Sequence, residues 1–118
     1  MNSRLLLVDD DRLLREVIGE YLTAKGFTVD LAESAEEAMT IFEHGKYSLA
    51  LIDLVMPGIN GLQLMESILE VDQDIFCLIM TGYPTIDSAY KAMVNGVSDY
   101  VIKPFQLSEL LEIIQKYI

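Results

Sequence analysis

Five polar side chains stand where apolar runs stop. Leu5 to Val8 end in Asp9-Asp10-Asp11, Leu49 to Ile52 in Asp53, Phe76 to Met80 in Thr81-Gly82, and Tyr100 to Ile102 in Lys103-Pro104. Brought together, Asp9, Asp10, Asp53, Thr81 and Lys103 offer three carboxylates, a hydroxyl and an ammonium. Clustered carboxylates raise each other's pKa unless a cation joins them. A small set of oxygen ligands with room for water suits Mg²⁺. The lysine and the hydroxyl suit the oxygens of a tetrahedral oxyanion carried by the third acid. An aspartate beside a metal can attack phosphorus and form an acyl phosphate. Such transfer needs little beyond positioning and charge neutralisation. Each residue alone has a plainer use, because Asp and Thr are common helix caps and turn formers. Their supply by four separate segments, always at a run's end, is what points to a site.

The elements that must position them follow from periodicity. Leu5–Val8 and Leu49–Ile52 carry nothing polar, as strands covered on both faces do in a parallel sheet. Phe27-Thr28-Val29-Asp30-Leu31 alternates apolar and polar, which predicts a strand with one wetter face, at a sheet edge. Phe76–Met80 and Tyr100–Ile102 supply two more strands. Between them, apolar residues recur at helical spacing. Leu13 to Leu22 form one helix, stopped by Lys25-Gly26. Ser34-Ala35-Glu36-Glu37 reads as a capping box opening a second helix that Gly45 ends. Leu62, Met65, Ile68 and Leu69 mark a third. Pro84 suits the first turn of a fourth, with Ile86, Ala89, Tyr90, Met93 and Val94 facing inward and Asn95-Gly96 ending it. Leu107, Leu110, Leu111, Ile114 and Tyr117 mark a fifth. Alternating strands and helices with short connections predict an α/β fold: a parallel sheet with helices on both faces. In such a sheet the carboxyl ends of all strands share one rim, where ligands bind.

Composition narrows the classes. A chain of 118 residues, 52% of them hydrophobic, has the size of one domain and is rich enough to bury a core. No apolar run approaches the roughly 20 residues of a membrane span, and Met1-Asn2-Ser3-Arg4 does not open a signal peptide. The single cysteine, Cys77, cannot form an internal disulfide and sits in an apolar run as an inert core residue. A cytoplasmic location is expected. The net charge of −11 argues against direct nucleic-acid binding and against an anionic membrane surface. No linker or repeat interrupts the pattern, so residues 1–118 are read as one domain, stand-alone or cut from a longer protein at a domain edge.

Val8-Asp9-Asp10, Asp53 with Met56-Pro57-Gly58, Thr81-Gly82, and Tyr100 to Lys103-Pro104-Phe105, in this order and spacing, make the chain resemble the receiver domains of two-component response regulators over essentially its whole length. The resemblance implies a flavodoxin-like (βα)5 sandwich with strand order 2-1-3-4-5. It implies a phosphoacceptor switch rather than an enzyme with its own substrate, although such a domain assists its own phosphotransfer and dephosphorylation. Asp53 would take the phosphoryl group from the phosphohistidine of a sensor histidine kinase or phosphotransfer protein. Asp10, Asp53 and the Val55 carbonyl would hold Mg²⁺ directly, with Asp9 acting through water. Thr81 and Lys103 would hold the phosphoryl oxygens, Tyr100 would change rotamer with Thr81, and the Lys103–Pro104 bond would be cis. Phosphorylation would alter the surface of the fourth helix, fifth strand and fifth helix, which would act on an output domain, a partner protein or a second copy. That surface would include Asp87, Lys91, Asn95, Asp99, Glu109, Glu112 and Lys116. Val55 and Tyr83 would flank the path of attacking water.

Other classes fit less well. A phosphatase of the haloacid dehalogenase type wants a second acid two residues after its nucleophile, and Val55 stands there. A flavodoxin needs a phosphate-cradling loop after the first strand, where Asp9-Asp10-Asp11 would repel phosphate. A receiver that no longer takes phosphate would lack Asp53, Lys103 or the acid pair. His44 reads as a helix-end cation, and Asp11, Glu16 and Glu20 as a solvated face.

Overall fold

The computed structural model describes residues 3–118. Its strands are β1 (Arg4–Val8), β2 (Thr28–Ala32), β3 (Leu49–Asp53), β4 (Phe76–Thr81) and β5 (Asp99–Ile102). Its helices are α1 (Arg12–Ala24), α2 (Ala35–Ile41), α3 (Gly61–Val71), α4 (Ile86–Val94) and α5 (Leu107–Gln115). All strands pair in parallel in the order β2-β1-β3-β4-β5, the expected flavodoxin-like arrangement. The uninterrupted apolar runs have a direct cause. Leu5, Leu7 and Leu51 point into one core beneath α1 and α5, while Leu6, Val8 and Ile52 point into the other beneath α2 and α3. A strand buried on both faces has no position for a polar residue until it leaves the sheet.

β2 is at an edge, as its alternation predicts, though it starts at Thr28 rather than Phe27. Its polar residue Asp30 accepts from Arg4 Nη1 at 2.9 Å and from the Tyr47 hydroxyl at 2.7 Å. Cys77 is buried, and burial pushes its thiol up to about 12, as befits a core residue.

Four local expectations are corrected. α2 ends at Ile41, so Gly45, with φ +77, closes the following turn instead, and His44 lies in that turn. Ser34 does cap α2 by accepting the Glu37 N–H, but the Glu37 carboxylate reaches the N–H of Glu33 rather than that of Ser34. Pro84 precedes the helix cap of α4. Thr85 is that cap and forms a capping box with Ser88, which starts the helix at Ile86. Asp11 is the cap of α1 rather than a merely solvated acid, accepting the Leu14 N–H at 3.2 Å.

The largest correction concerns α4, whose apolar stripe faces outward. Ile86 is 91% exposed, and Tyr90, Met93 and Val94 are also exposed. The residues turned toward the sheet are small: Ala92 is buried, and Ser88 and Ala89 are half-buried. Ser88 and Ala92 are one turn apart and define an inward face of their own. Helical spacing of apolar residues identifies a face but not which way it points. Asp87 and Lys91 flank the exposed stripe and pair at 3.1 Å, while Asn95 is half-buried.

Asp72, just after α3, shows how the loops are tied to the layers. It is buried and accepts the Gly45 N–H at 2.9 Å and the Asp74 N–H at 3.0 Å. These N–H groups, the Gly45 one foremost, hold its carboxyl below the usual range. A lowered folded pKa contributes stability above the unfolded pKa, and that contribution is lost as pH falls through the folded one. Asp72→Ala is therefore expected to cost about 1–3 kcal/mol near neutral pH. In urea titrations, its deficit against the parent chain should hold constant down to about pH 4 and shrink below it.

Candidate functional site

Sheet register builds the site. Val8 lies beside Ile52, Asp53 beside Met80, and Thr81 beside Ile102. One residue past these pairings, or at them, stand Asp9, Asp53, Thr81 and Lys103, so four segments deliver their side chains to one rim. Asp9 has no exposed surface and Asp53 is 6% exposed, while Asp10 is exposed. One carboxylate oxygen from each of Asp9, Asp10 and Asp53 lies within 4.8 Å of the others.

Lys103 Nζ donates to Asp9 Oδ2 at 3.0 Å and stands 3.5 Å from Asp53 Oδ1. The Lys103–Pro104 peptide is cis. The other Asp9 oxygen accepts the Asp11 N–H at 2.9 Å. Asp53 Oδ1 accepts the Val55 N–H at 3.4 Å, and the Val55 side chain turns outward. Burial pushes the Asp53 carboxyl up to about 7, and the neighbouring Asp9 charge adds to this. The Lys103 ammonium and the Val55 N–H oppose it. Thr81 is fully buried, and its hydroxyl accepts the Tyr83 N–H at 3.0 Å. Tyr100 is half-buried on β5, and its hydroxyl lies 2.8 Å from Ser88 Oγ on α4.

Three carboxylates against one ammonium leave net negative charge in a partly buried space. Oxygen donors alone, one of them exposed to water, fit a small hard divalent cation such as Mg²⁺ better than a soft metal. A carboxylate pressed against an ammonium, in a site short of cations, is also placed to take an electrophilic phosphoryl group.

Sequence reasoning missed two supports. Arg15 Nη1 donates to the Asp9 carbonyl at 2.7 Å, anchoring the β1 end from the first turns of α1. Arg12 and Arg15 both follow the three acids, and nothing local singles out Arg15 for this role. Gly61 opens α3 directly over the end of β3. A Cβ there would collide with the Asp53 carbonyl oxygen and lie 2.8 Å from Leu54 Cα. The Gly61 N–H donates to the Leu54 carbonyl at 2.9 Å, and Asn60 caps the helix with Gln63 completing a capping box. The Asn-Gly pair signals a turn in sequence, but the close approach is visible only in three dimensions.

The family model for response regulator receiver domains matches residues 5–115. The chain belongs to the response regulator receiver domain family. It is 36% identical over 117 residues to the response regulator FleR of Pseudomonas aeruginosa, covering 99% of this chain and 25% of FleR. It thus spans a quarter of that relative's length. A CheY-like receiver domain from Methanospirillum hungatei superposes with a TM-score of 0.94 at 28% identity, covering 98% of this chain and 93% of that one. The response regulator TrrA of Thermotoga maritima, solved in complex with Mg²⁺–BeF, gives a TM-score of 0.87 at 34% identity, covering 98% and 99%.

Gly61→Ala should push the start of α3 away from the β3 end, with a cost of at least about 2 kcal/mol. Urea denaturation checks the loss. The amide resonances of Asp53, Leu54 and Val55 should shift, whereas a change confined to the solvent side of α3 would contradict the close packing.

Proposed function

We propose that this domain is a phosphoacceptor switch in which Asp53 takes a phosphoryl group from the phosphohistidine of a sensor histidine kinase or phosphotransfer protein. The observation that carries the reading is the Asp53 carboxylate, almost buried, 3.5 Å from Lys103 Nζ and grouped with Asp9 and Asp10. A carboxylate oxygen of Asp53 attacks phosphorus, the P–N bond of the donor breaks as the P–O bond forms, and the imidazole leaves with the electron pair and takes a proton. Asp10, Asp53 and the Val55 carbonyl would hold Mg²⁺, with Asp9 acting through water. When bound, the cation offsets the charge of the acids and of the transferred oxygens. Lys103 is placed to pair with a phosphoryl oxygen, and Thr81 to donate its hydroxyl to another once the Tyr83 contact yields. The domain would assist its own dephosphorylation slowly, because Val55 and Tyr83 beside the site cannot activate water well.

The output surface would be α4, β5 and α5. Its support is the outward apolar stripe of α4 with Tyr83 before it, since contiguous exposed apolar groups mark interaction sites. If Thr81 turns toward a phosphoryl group, room opens behind it for Tyr100. The Tyr100–Ser88 contact carries that change directly to α4. The partner would be an output domain or a second copy. Glu109 and Glu112 are exposed on α5 and Lys116 just past its end, and Asp99 accepts from the Tyr117 hydroxyl at 3.1 Å. We read residues 1–118 as one receiver domain of a cytoplasmic regulator, stand-alone or cut from a longer protein, and the partial coverage of FleR fits the second.

Incubation with phosphoramidate and Mg²⁺ should add one phosphate by intact mass. The gain should be lost without Mg²⁺ and in Asp53→Asn. A gain persisting in Asp53→Asn would remove Asp53 as the acceptor.

Amide-shift mapping with beryllofluoride should move Ser88, Tyr90, Met93 and Tyr100 along with the residues around Asp53. Changes limited to the rim of the site would refute a switch through α4.

A further inference from the structure

At the far edge of the sheet from β5, the outer side of β2 is open. Among the described residues the strand pairs only with β1. The Thr28 N–H donates to the Ser3 carbonyl at 3.0 Å, and the Ala32 carbonyl accepts the Asp9 N–H at 3.2 Å, so the residues at 28 and 32, with Asp30 between, direct their backbone at the sheet. Alternate residues of a strand aim their N–H and C=O groups to opposite sides. The backbone groups of Val29 and Leu31 therefore face outward. β2 has neither proline nor lysine to blunt this edge.

The edge is not covered by α1. A groove of about 550 Å³ runs between them, with Val29 and Leu31 on one wall and Gly19 and Ala24 on the other. Leu31 stays 39% exposed. Gly19 lets Leu31 pack close against α1, since a Cβ there would lie 3.1 Å from Leu31 Cδ2. Glu16 and Glu20 rim the groove, both exposed. Glu16 shares its charge with Arg12 at 3.1 Å, whereas Glu20 has no ion pair among the described residues.

We propose that this edge binds a cationic partner segment in extended form, which adds to β2 as a sixth strand. Main-chain bonds to Val29 and Leu31 would hold it, an apolar side chain would enter the groove over Leu31, and flanking Lys or Arg would meet Glu16 and Glu20. The charge selects this occupant. A second copy would set the same two glutamates against each other and bring another net charge of −11. A docked helix would leave the four outward backbone groups of Val29 and Leu31 without partners. The surface lies away from Asp53 and does not depend on phosphorylation.

The probe is a short capped peptide in which Thr alternates with Lys, Val and Lys. Added to the isotope-labelled chain, it should slow amide hydrogen exchange at Val29 and Leu31 and leave Asp30, already directed at β1, unchanged. The same peptide N-methylated along its bonding edge should not bind. Combined Glu16→Gln and Glu20→Gln should weaken binding by about three- to tenfold, the scale of two exposed ion pairs. Leu31→Lys, a change at a part-exposed position, should abolish it. Equal binding by the N-methylated peptide, shifts centred elsewhere, indifference to both variants, or protection of the same amides by self-association of the chain alone would each overturn the proposal.

Discussion

A carboxylate with no exposed surface must be met by charge or by hydrogen bonds, and Asp9 is such a group. Its partners come from both ends of the chain. The Asp11 N–H lies two residues on, and the Lys103 ammonium comes from 94 positions away. That pairing exists only if β1, β3, β4 and β5 run parallel and stop at the same level. Breaking a buried pair on one side typically costs about 3–5 kcal/mol, because the remaining charge is left uncompensated. The sheet order and the site are thus one requirement: the fold supplies the rim, and the ion pair holds the rim's two distant segments together.

The pair does not balance the rim. Asp53 and Asp10 remain beside it, and burial with the Asp9 charge drives Asp53 toward the neutral form despite Lys103. A sequence selected only for stability would not keep three acids within 4.8 Å of one another. Local cost of this kind is characteristic of functional positions, where a bound cation and an incoming anion offset it together. The supports nearby are correspondingly tight. Arg15 fixes the Asp9 carbonyl, and Gly61 lets the first turn of α3 rest on the backbone of Asp53 and Leu54.

The periphery is built differently. α4 rests on the sheet through Ser88, Ala89 and Ala92 and turns its large apolar residues to solvent. Few buried apolar contacts make an element cheap to displace, and the Tyr100–Ser88 contact joins this loosely held helix to the strand beside Thr81. At the opposite edge, β2 keeps open backbone groups beside a groove rimmed by glutamates. The tightly tied centre lies between two surfaces that stay available.

Much of this was determined by the sequence alone. Short continuous apolar runs alternating with helical segments read as strands buried on both faces, so the parallel sheet, its layers and the rim bearing Asp9, Asp53, Thr81 and Lys103 were legible from where polarity resumes. The alternation in β2 likewise placed it at an edge. Tertiary structure decided what periodicity cannot. A helical stripe at Ile86, Tyr90, Met93 and Val94 marks one face without a direction, and the smaller Ser88 and Ala92 took the inward side because they allow closer approach to the sheet. Asn60-Gly61 marks a turn in any context, but the demand for glycine comes from a backbone that only the folded chain brings near. Nothing local in sequence names the partners of Arg15 and Ser88, since the Asp9 carbonyl and the Tyr100 hydroxyl are brought to them by packing. Local sequence fixes which residues leave the sheet and where, and only the assembled layers fix which groups they meet.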